Sequence, residues 1–325
     1  MPLIKIPQGW EIPERLVTPE ERFIHRRSFL ASLGVAAAGV MAPGVAQLGN
    51  AAGNQARDKA NNQARDKLYP AKRNPAFKAT TPLTDEGVAS HYNNFFEFTQ
   101  EKDKVWKLAE QFRTSPWTIQ VSGLVRKPQT FDVAKLIRRM PLEERIYRHR
   151  CVEAWAMTVP WTGFPFKSLI DLVEPTSEAR FVRMLSFFRP DEAANQKAQP
   201  KLPWPESQGL TLEEARNPLA FLVTGLYGHE LPKSNGDPLR LAVPWKYGFK
   251  SLKTIVSIEF VAEQPRTFWN ELYPKEYHFI ANVDPTEQHG NRTQATERDI
   301  GTGDSRPTLP FNGYGSYVAQ MYRKS

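Results

Sequence analysis

The chain has 325 residues, of which 40% are hydrophobic, 24% charged and 11% aromatic. These are globular proportions at a length that carries one large domain or two modest ones, which excludes full-length disorder, a coiled coil and a polytopic membrane protein. Lys plus Arg number 43 against 35 Asp plus Glu, and the net charge of +8 suits a nucleic acid, an anionic cofactor or an exported protein without choosing among them.

In chain order, the first signal is HRRSFLA at residues 25–31. Arg26 and Arg27 precede a stretch, Ser28 to Ala56, that carries no charge. Its apolar part, 31–46, is broken by Gly34, Gly39, Pro43 and Gly44. A spanning helix needs roughly 20 strongly apolar residues, so this is a poor anchor. The pair of arginines before a mild apolar run resembles a twin-arginine (Tat) export signal over residues 1–46, although His25 stands where Ser or Thr is usual. Export as a folded protein by the Tat translocase to the periplasm is the expectation.

Residues 47–75 read as a polar linker, with NQARDK at 54–59 and again at 62–67. A folded domain is expected over 76–325, with its edge between Pro70 and Pro82. Trp117 to Val125 and Thr254 to Val261 read as strands, and Ala220 to Tyr227 and Leu239 to Val243 as buried strands. Asp132 to Arg139, Phe166 to Val173 and Thr211 to Ala215 are short helix candidates, and Asp191 to Gln208 reads as a long loop. With 27 Pro, the pattern predicts one loop-rich α+β domain.

Cys151 is the one cysteine, so a disulfide within the chain and a multi-cysteine zinc site are excluded. It follows Arg148, His149 and Arg150, and nearby cations favour thiolate, the form that attacks and ligates. A buried structural cysteine is the alternative, and His149 reads equally as a solvated surface histidine. Glu153 is either a group orienting what a metal binds or a solvated carboxylate. No papain-like signature surrounds Cys151. PWKYGFKSLK at 244–253 reads, taken alone, as a basic surface hairpin. Interleaved aromatics also suit RNA, but no nucleic-acid-binding signature accompanies them and an export signal argues against it.

RCVEAW at 150–155 stands in a series with HYNNFFEF at 91–98, NGDPLRLAVPWKYGFKSLK at 235–253, QATER at 294–298 and FNGY at 311–314. Together, in this order, these resemble the periplasmic molybdopterin-dependent protein-methionine-sulfoxide reductase catalytic subunits of the sulfite-oxidase superfamily. The resemblance runs from about His91 to the C-terminus. It implies the superfamily's mixed molybdopterin-binding fold, one molybdenum carried by molybdopterin, and reduction of methionine sulfoxide, free or in oxidised periplasmic proteins. It implies Cys151 as catalytic metal ligand, soft sulfur suiting such a metal. It implies cofactor contacts from Asn93, Phe96, Glu97, Ser186, Asn235, Arg240, Ser251, Leu252 and Lys253. The last three follow Gly248, where backbone N–H groups could cradle a phosphate with Lys253 adding charge. Tyr is frequent in the family at position 96 and Gly at 251. Trp155, Trp161, Trp204 and Trp245 are candidates for an aromatic substrate rim, with core packing the commoner role for any one of them. No haem attachment motif is present. The resemblance therefore implies a monomeric catalytic subunit fed by a haem-containing integral membrane electron-transfer subunit from the quinone pool. Another oxidoreductase of the superfamily, such as a sulfite oxidase, and a non-enzymatic exported binding protein are the other readings.

Overall fold

The computed structural model describes residues 68–79 and 81–323. The export-signal reading and the duplicated NQARDK segment lie outside the described residues. Among the described residues fourteen strands run, in order, β1 Thr118–Gly123, β2 Gln129–Asp132, β3 Glu143–Arg150, β4 Trp155–Pro165, β5 Phe181–Ser186, β6 Ser207–Thr211 and β7 Phe221–Leu226. They continue as β8 His229–Glu230, β9 Arg240–Ala242, β10 Ile255–Val261, β11 Gln288–His289, β12 Arg292–Thr293, β13 Thr296–Asp299 and β14 Ser305–Pro307. Helices are short, so the architecture is the expected loop-rich α+β.

One sheet has the order β2-β1-β10-β5-β6, with β1 and β10 parallel and the other pairs antiparallel. The other has the order β14-β13-β4-β7-β8, with β3 on β4 and β9 on β7. β4 is the spine of this second sheet. It pairs antiparallel with β3 and β7 and parallel with β13, and every residue but Pro165 is buried. Burial on both faces removes the alternation by which a strand is read from sequence. Gly163 is required where β4 bulges against β7, because a Cβ there would lie 2.1 Å from the Leu222 carbonyl oxygen.

The helices form where local chemistry directs them. Val133–Arg139 is capped by the Asp132 carboxylate, which accepts from the Lys135 N–H at 2.9 Å. Phe166–Val173 turns Phe166, Leu169, Ile170 and Val173 into the core at helical spacing. Leu212–Arg216 opens with a reciprocal capping box between Thr211 and Glu214.

Two boundaries differ from expectation. The folded body begins before residue 76: the Tyr69 hydroxyl donates to the Thr224 carbonyl at 2.8 Å, and Arg73 pairs with Glu144 at 2.6 Å. The end of the supposed linker is therefore docked structure. The stretch Asp191 to Gln208 holds a five-residue helix, Ala194–Ala198, and its last residues enter β6. The Asn195 and Gln196 N–H groups anchor that helix by donating to the Glu97 carbonyl at 3.0 and 3.2 Å.

Candidate active site

Cys151 sits in the tight turn between β3 and β4. Its N–H donates to the Trp155 carbonyl at 2.9 Å and its carbonyl accepts the Ala154 N–H at 2.9 Å. Closing so short a turn forces Ala154 to φ 66°, the left-handed region that ordinary residues avoid. The Cys151 sulfur accepts weakly from Asn94 Nδ2 at 3.3 Å and from the Glu153 N–H at 3.4 Å.

Burial pushes the Cys151 thiol up to about 12, with Glu153 reinforcing the shift. The expectation that the flanking arginines favour thiolate is thus corrected: Arg150 pulls the other way, but its effect is small. The reason is where the guanidinium groups go. Arg148 pairs with Glu297 Oε1, Arg150 with Glu297 Oε2 at 3.2 Å, and Arg306 with Glu297 Oε1 at 2.7 Å. These guanidinium groups are directed to a buried carboxylate, Glu297, and none bonds to the Cys151 sulfur. His149 is not a solvated histidine either. It lines the cavity beside Trp155, and burial, then Arg240, holds its pKa well below the ordinary value. Gly248 packs against it so closely that a Cβ would lie 2.6 Å from Nε2.

The other motifs prove to be clamps on this turn. In QATER, Gln294 Nε2 donates to the Val152 carbonyl at 2.9 Å, and the Arg298 N–H donates to the Ala154 carbonyl at 2.8 Å. In FNGY, Asn312 Nδ2 donates to the Arg148 carbonyl at 3.3 Å and the Pro244 carbonyl at 2.9 Å, while the Tyr314 hydroxyl accepts the Arg148 N–H at 3.0 Å. PWKYGFK is not a surface hairpin. Trp245, Lys246, Tyr247 and Lys250 are all buried, and Lys246 is ion-paired with Glu214. Lys250 donates to the Phe279 carbonyl at 2.7 Å, and burial pulls its pKa down to about 7.

A cavity of about 590 Å³ opens in front of Cys151. Asn93, Phe96, Arg240, Ser251, Leu252 and Lys253 line it, so six of the nine expected cofactor contacts meet there with the cysteine. Glu97, Ser186 and Asn235 stand behind this wall. Ser186 donates to the Lys253 carbonyl at 2.9 Å, and the Asn235 carbonyl accepts from Arg240 Nη1 at 2.8 Å. Trp155 lines the cavity, whereas Trp161 and Trp245 are core and Trp204 stacks on Phe96. The rim is instead aromatic through Phe249, Trp269, Tyr273 and Tyr277. Glu153 is also on the wall, ion-paired with Lys102 at 2.6 Å.

The residues fit molybdopterin. Asn93 is buried with both amide atoms unpartnered, Glu97 with both carboxylate oxygens unpartnered, and Trp155 with its Nε1 unpartnered. Native cores seldom leave such atoms bare, and a ligand rich in ring donors and acceptors would satisfy them. The Arg240 guanidinium bonds only to the carbonyls of Leu241, Asn235 and Ser251, so its charge remains available to an anion. Burial pulls its pKa down to about 9 and that of Lys253 to about 8. Among the described residues, the N–H groups of Leu252 and Lys253 find no acceptor, whereas that of Ser251 bonds back to Gly248 at 3.0 Å. The phosphate cradle thus comes from 252 and 253, and Ser251 contributes an oxygen that accepts the Val243 N–H.

Two contributors escaped the sequence reading. Asn94, inside HYNNFFEF, was not singled out although its Nδ2 donates to the sulfur. Glu206 lay in the presumed loop although it lines the cavity. HYNNFFEF contained the first signal, while nothing local marked the second.

A thiol in a donor-rich cavity whose wall also carries an anion cradle defines a molybdopterin enzyme. The model of the oxidoreductase molybdopterin-binding domain matches residues 107–269, and the chain belongs to that family. Over 321 residues it is 44% identical to the protein-methionine-sulfoxide reductase catalytic subunit MsrP of Burkholderia mallei, covering 97% of this chain and 94% of that protein. The crystal structure of the sulfane dehydrogenase SoxCD from Paracoccus pantotrophus is a looser likeness, with TM-score 0.40 and 15% identity over 57% of this chain and 51% of that one.

Proposed function

We propose that this chain is the catalytic subunit of a molybdenum-dependent oxidoreductase that reduces methionine sulfoxide, free or in oxidised proteins, to methionine. The near full-length likeness to a protein of that name supports the substrate. The carrying observation is the placement of Cys151, buried and facing the cavity that holds the unpartnered Asn93 amide. In the reaction the sulfur–oxygen bond breaks, two electrons and two protons enter, and a thioether and water leave. Bound molybdopterin supplies the oxygen-accepting, two-electron chemistry.

The chain's own residues bind and orient. Cys151 Sγ would hold the metal, and Asn94 Nδ2 and the Glu153 N–H steady that sulfur. Arg240, Lys253 and the free N–H groups of 252 and 253 would hold the phosphate. The aromatic rim of Phe249, Trp269 and Tyr277 offers apolar surface to the methyl and methylene groups of the substrate. The chain works with an electron-donating partner subunit, and a haem-containing membrane subunit linked to the quinone pool fits this requirement. The Arg26–Arg27 segment supports export of the folded holoenzyme to the periplasm through the Tat translocase. Retention of an Arg26→Lys, Arg27→Lys variant in the cytoplasm is the expected result, and normal export would overturn that part.

The test is metal and turnover in wild type and Cys151→Ser, produced in cells that make molybdopterin. Stoichiometric molybdenum and sulfoxide reduction in wild type, with turnover lost in the variant, are expected. Wild-type turnover in Cys151→Ser refutes the ligand assignment. Sulfite oxidation without sulfoxide reduction refutes the substrate.

A further inference from the structure

Glu206 precedes β6, and its backbone carbonyl accepts the Ser186 N–H at 2.8 Å, which ties it to the end of β5. Its side chain lines the Cys151 cavity, where Oε1 accepts from Trp269 Nε1 at 3.2 Å. Glu97 lies near enough to couple with it electrostatically, and Lys253 and Arg240 act on it from the same wall.

Ion pairing does not account for these two carboxylates. Among the described residues, neither Lys253 nor Arg240 comes within salt-bridge distance of a carboxylate, and Arg240 gives three of its N–H groups to backbone carbonyls. Glu97 is fully buried with both oxygens unpartnered. Glu206 on the cavity wall, with the Trp269 indole on one oxygen, and Glu97 behind that wall leave several lone pairs unmet. Such an arrangement is costly unless a ligand brings hydrogen-bond donors. A pterin does so, with an amino-pyrimidine edge of adjacent N–H groups and further ring N–H groups.

We propose that Glu206 is a cofactor-binding residue that, together with Glu97, forms a two-carboxylate cradle for the N–H donors of the pterin and is held in place by Trp269. This rests on the molybdopterin reading. It adds to the expected contacts a residue from the Pro-rich stretch before β6, and Trp269, in the helix Phe268–Leu272, lines the same cavity.

The test uses holoenzyme of wild type, Glu206→Gln, Glu206→Ala and Trp269→Phe. Molybdenum and pterin per chain are measured, and then the rate at which pterin fluorescence appears in the filtrate after dilution. Loss of a hydrogen bond to a carboxyl acceptor on the cavity wall predicts release about tenfold faster in Glu206→Ala. Glu206→Gln, which keeps one acceptor, should fall between it and wild type, and Trp269→Phe should shift in the same direction. Circular dichroism of the cofactor-stripped proteins separates cofactor loss from unfolding. Release from Glu206→Ala within about twofold of wild type overturns the proposal. If that variant does not fold, release from Glu206→Gln at the wild-type rate overturns it. Wild type that contains no molybdenum or pterin overturns the molybdopterin reading instead.

Discussion

Replacing Glu297 by Ala tests whether the charges behind Cys151 act as a unit. Glu297 is 1% exposed and binds three guanidinium groups: Arg148 and Arg306 on one oxygen, Arg150 on the other. Of the three, Arg150 is the most deeply enclosed, and it also donates to the Cys151 carbonyl. Without Glu297 the cluster retains one carboxylate, Asp299, which reaches Arg306 at 3.2 Å. Each charge-assisted bond contributes about 1.5–3 kcal/mol, but the three are not additive. Breaking a buried ion pair by removing one partner costs about 3–5 kcal/mol, because the stranded charge stays desolvated, and that range is the expectation here. Urea unfolding of the holoenzyme, with molybdenum measured alongside, reads the loss. Arg73→Ala is the control. Its pair with Glu144 is half open to solvent and should cost no more than about 1 kcal/mol. A loss below about 1 kcal/mol in Glu297→Ala, with the metal retained, would refute the reasoning and show that water screens the network.

Gly248→Ala would place a Cβ 2.6 Å from His149 Nε2 and 2.8 Å from Cε1, so the histidine wall of the cavity must shift. Overpacking of this kind costs about 1–3 kcal/mol, and molybdenum content should fall with it; an unchanged urea midpoint and full metal would show that His149 swings aside freely. Lys250→Met should alter the pH dependence of stability. Burial, reinforced by Lys246, pulls the Lys250 pKa from 10.5 down to about 7. Between those values the unfolded chain holds a proton that the folded chain has released, so wild-type stability gains from this group as pH rises from about 7 to 10.5. Urea midpoints across that window should climb less steeply in Lys250→Met; identical slopes would mean that Lys250 stays protonated in the fold.

What the sequence disclosed, and what it hid, follows from where the information resides. β10 alternates with period two because one face is half-buried, and it was legible. The helices at 133–139 and 166–173 carry their own caps or apolar stripes and were legible for the same local reason. β4 was not. Buried on both faces and interrupted by Pro160 and Gly163, it reads as broken apolar sequence, although it is the strand on which the Cys151 turn is built. The site divides similarly. Cys151 and the segment Ser251–Lys253 were found through motifs. The consequence of Arg148 and Arg150 was misread because their partner, Glu297, lies 149 and 147 positions away. Lys246 read as a surface charge because Glu214, 32 positions away, is invisible to local pattern. Pairings across the chain decide whether a charge tunes a site or merely holds it together.

These distant pairings also explain why the Cys151 turn can be both strained and ordered. The carbonyls of Arg148, Cys151, Val152 and Ala154 accept from Asn312, Arg150, Gln294 and Arg298, respectively. Three of those donors lie in the last forty residues or so of the chain, far from the turn in sequence. A left-handed Ala154 costs about 1–2 kcal/mol, and such a residue persists only where its surroundings over-determine it. Here the backbone is held at four points between Arg148 and Ala154, while the sulfur meets only two long contacts, at 3.3 and 3.4 Å. The clamps satisfy the turn without using the thiol. The protein can therefore fix the position of the sulfur before any metal binds, and leave its coordinating capacity to the metal.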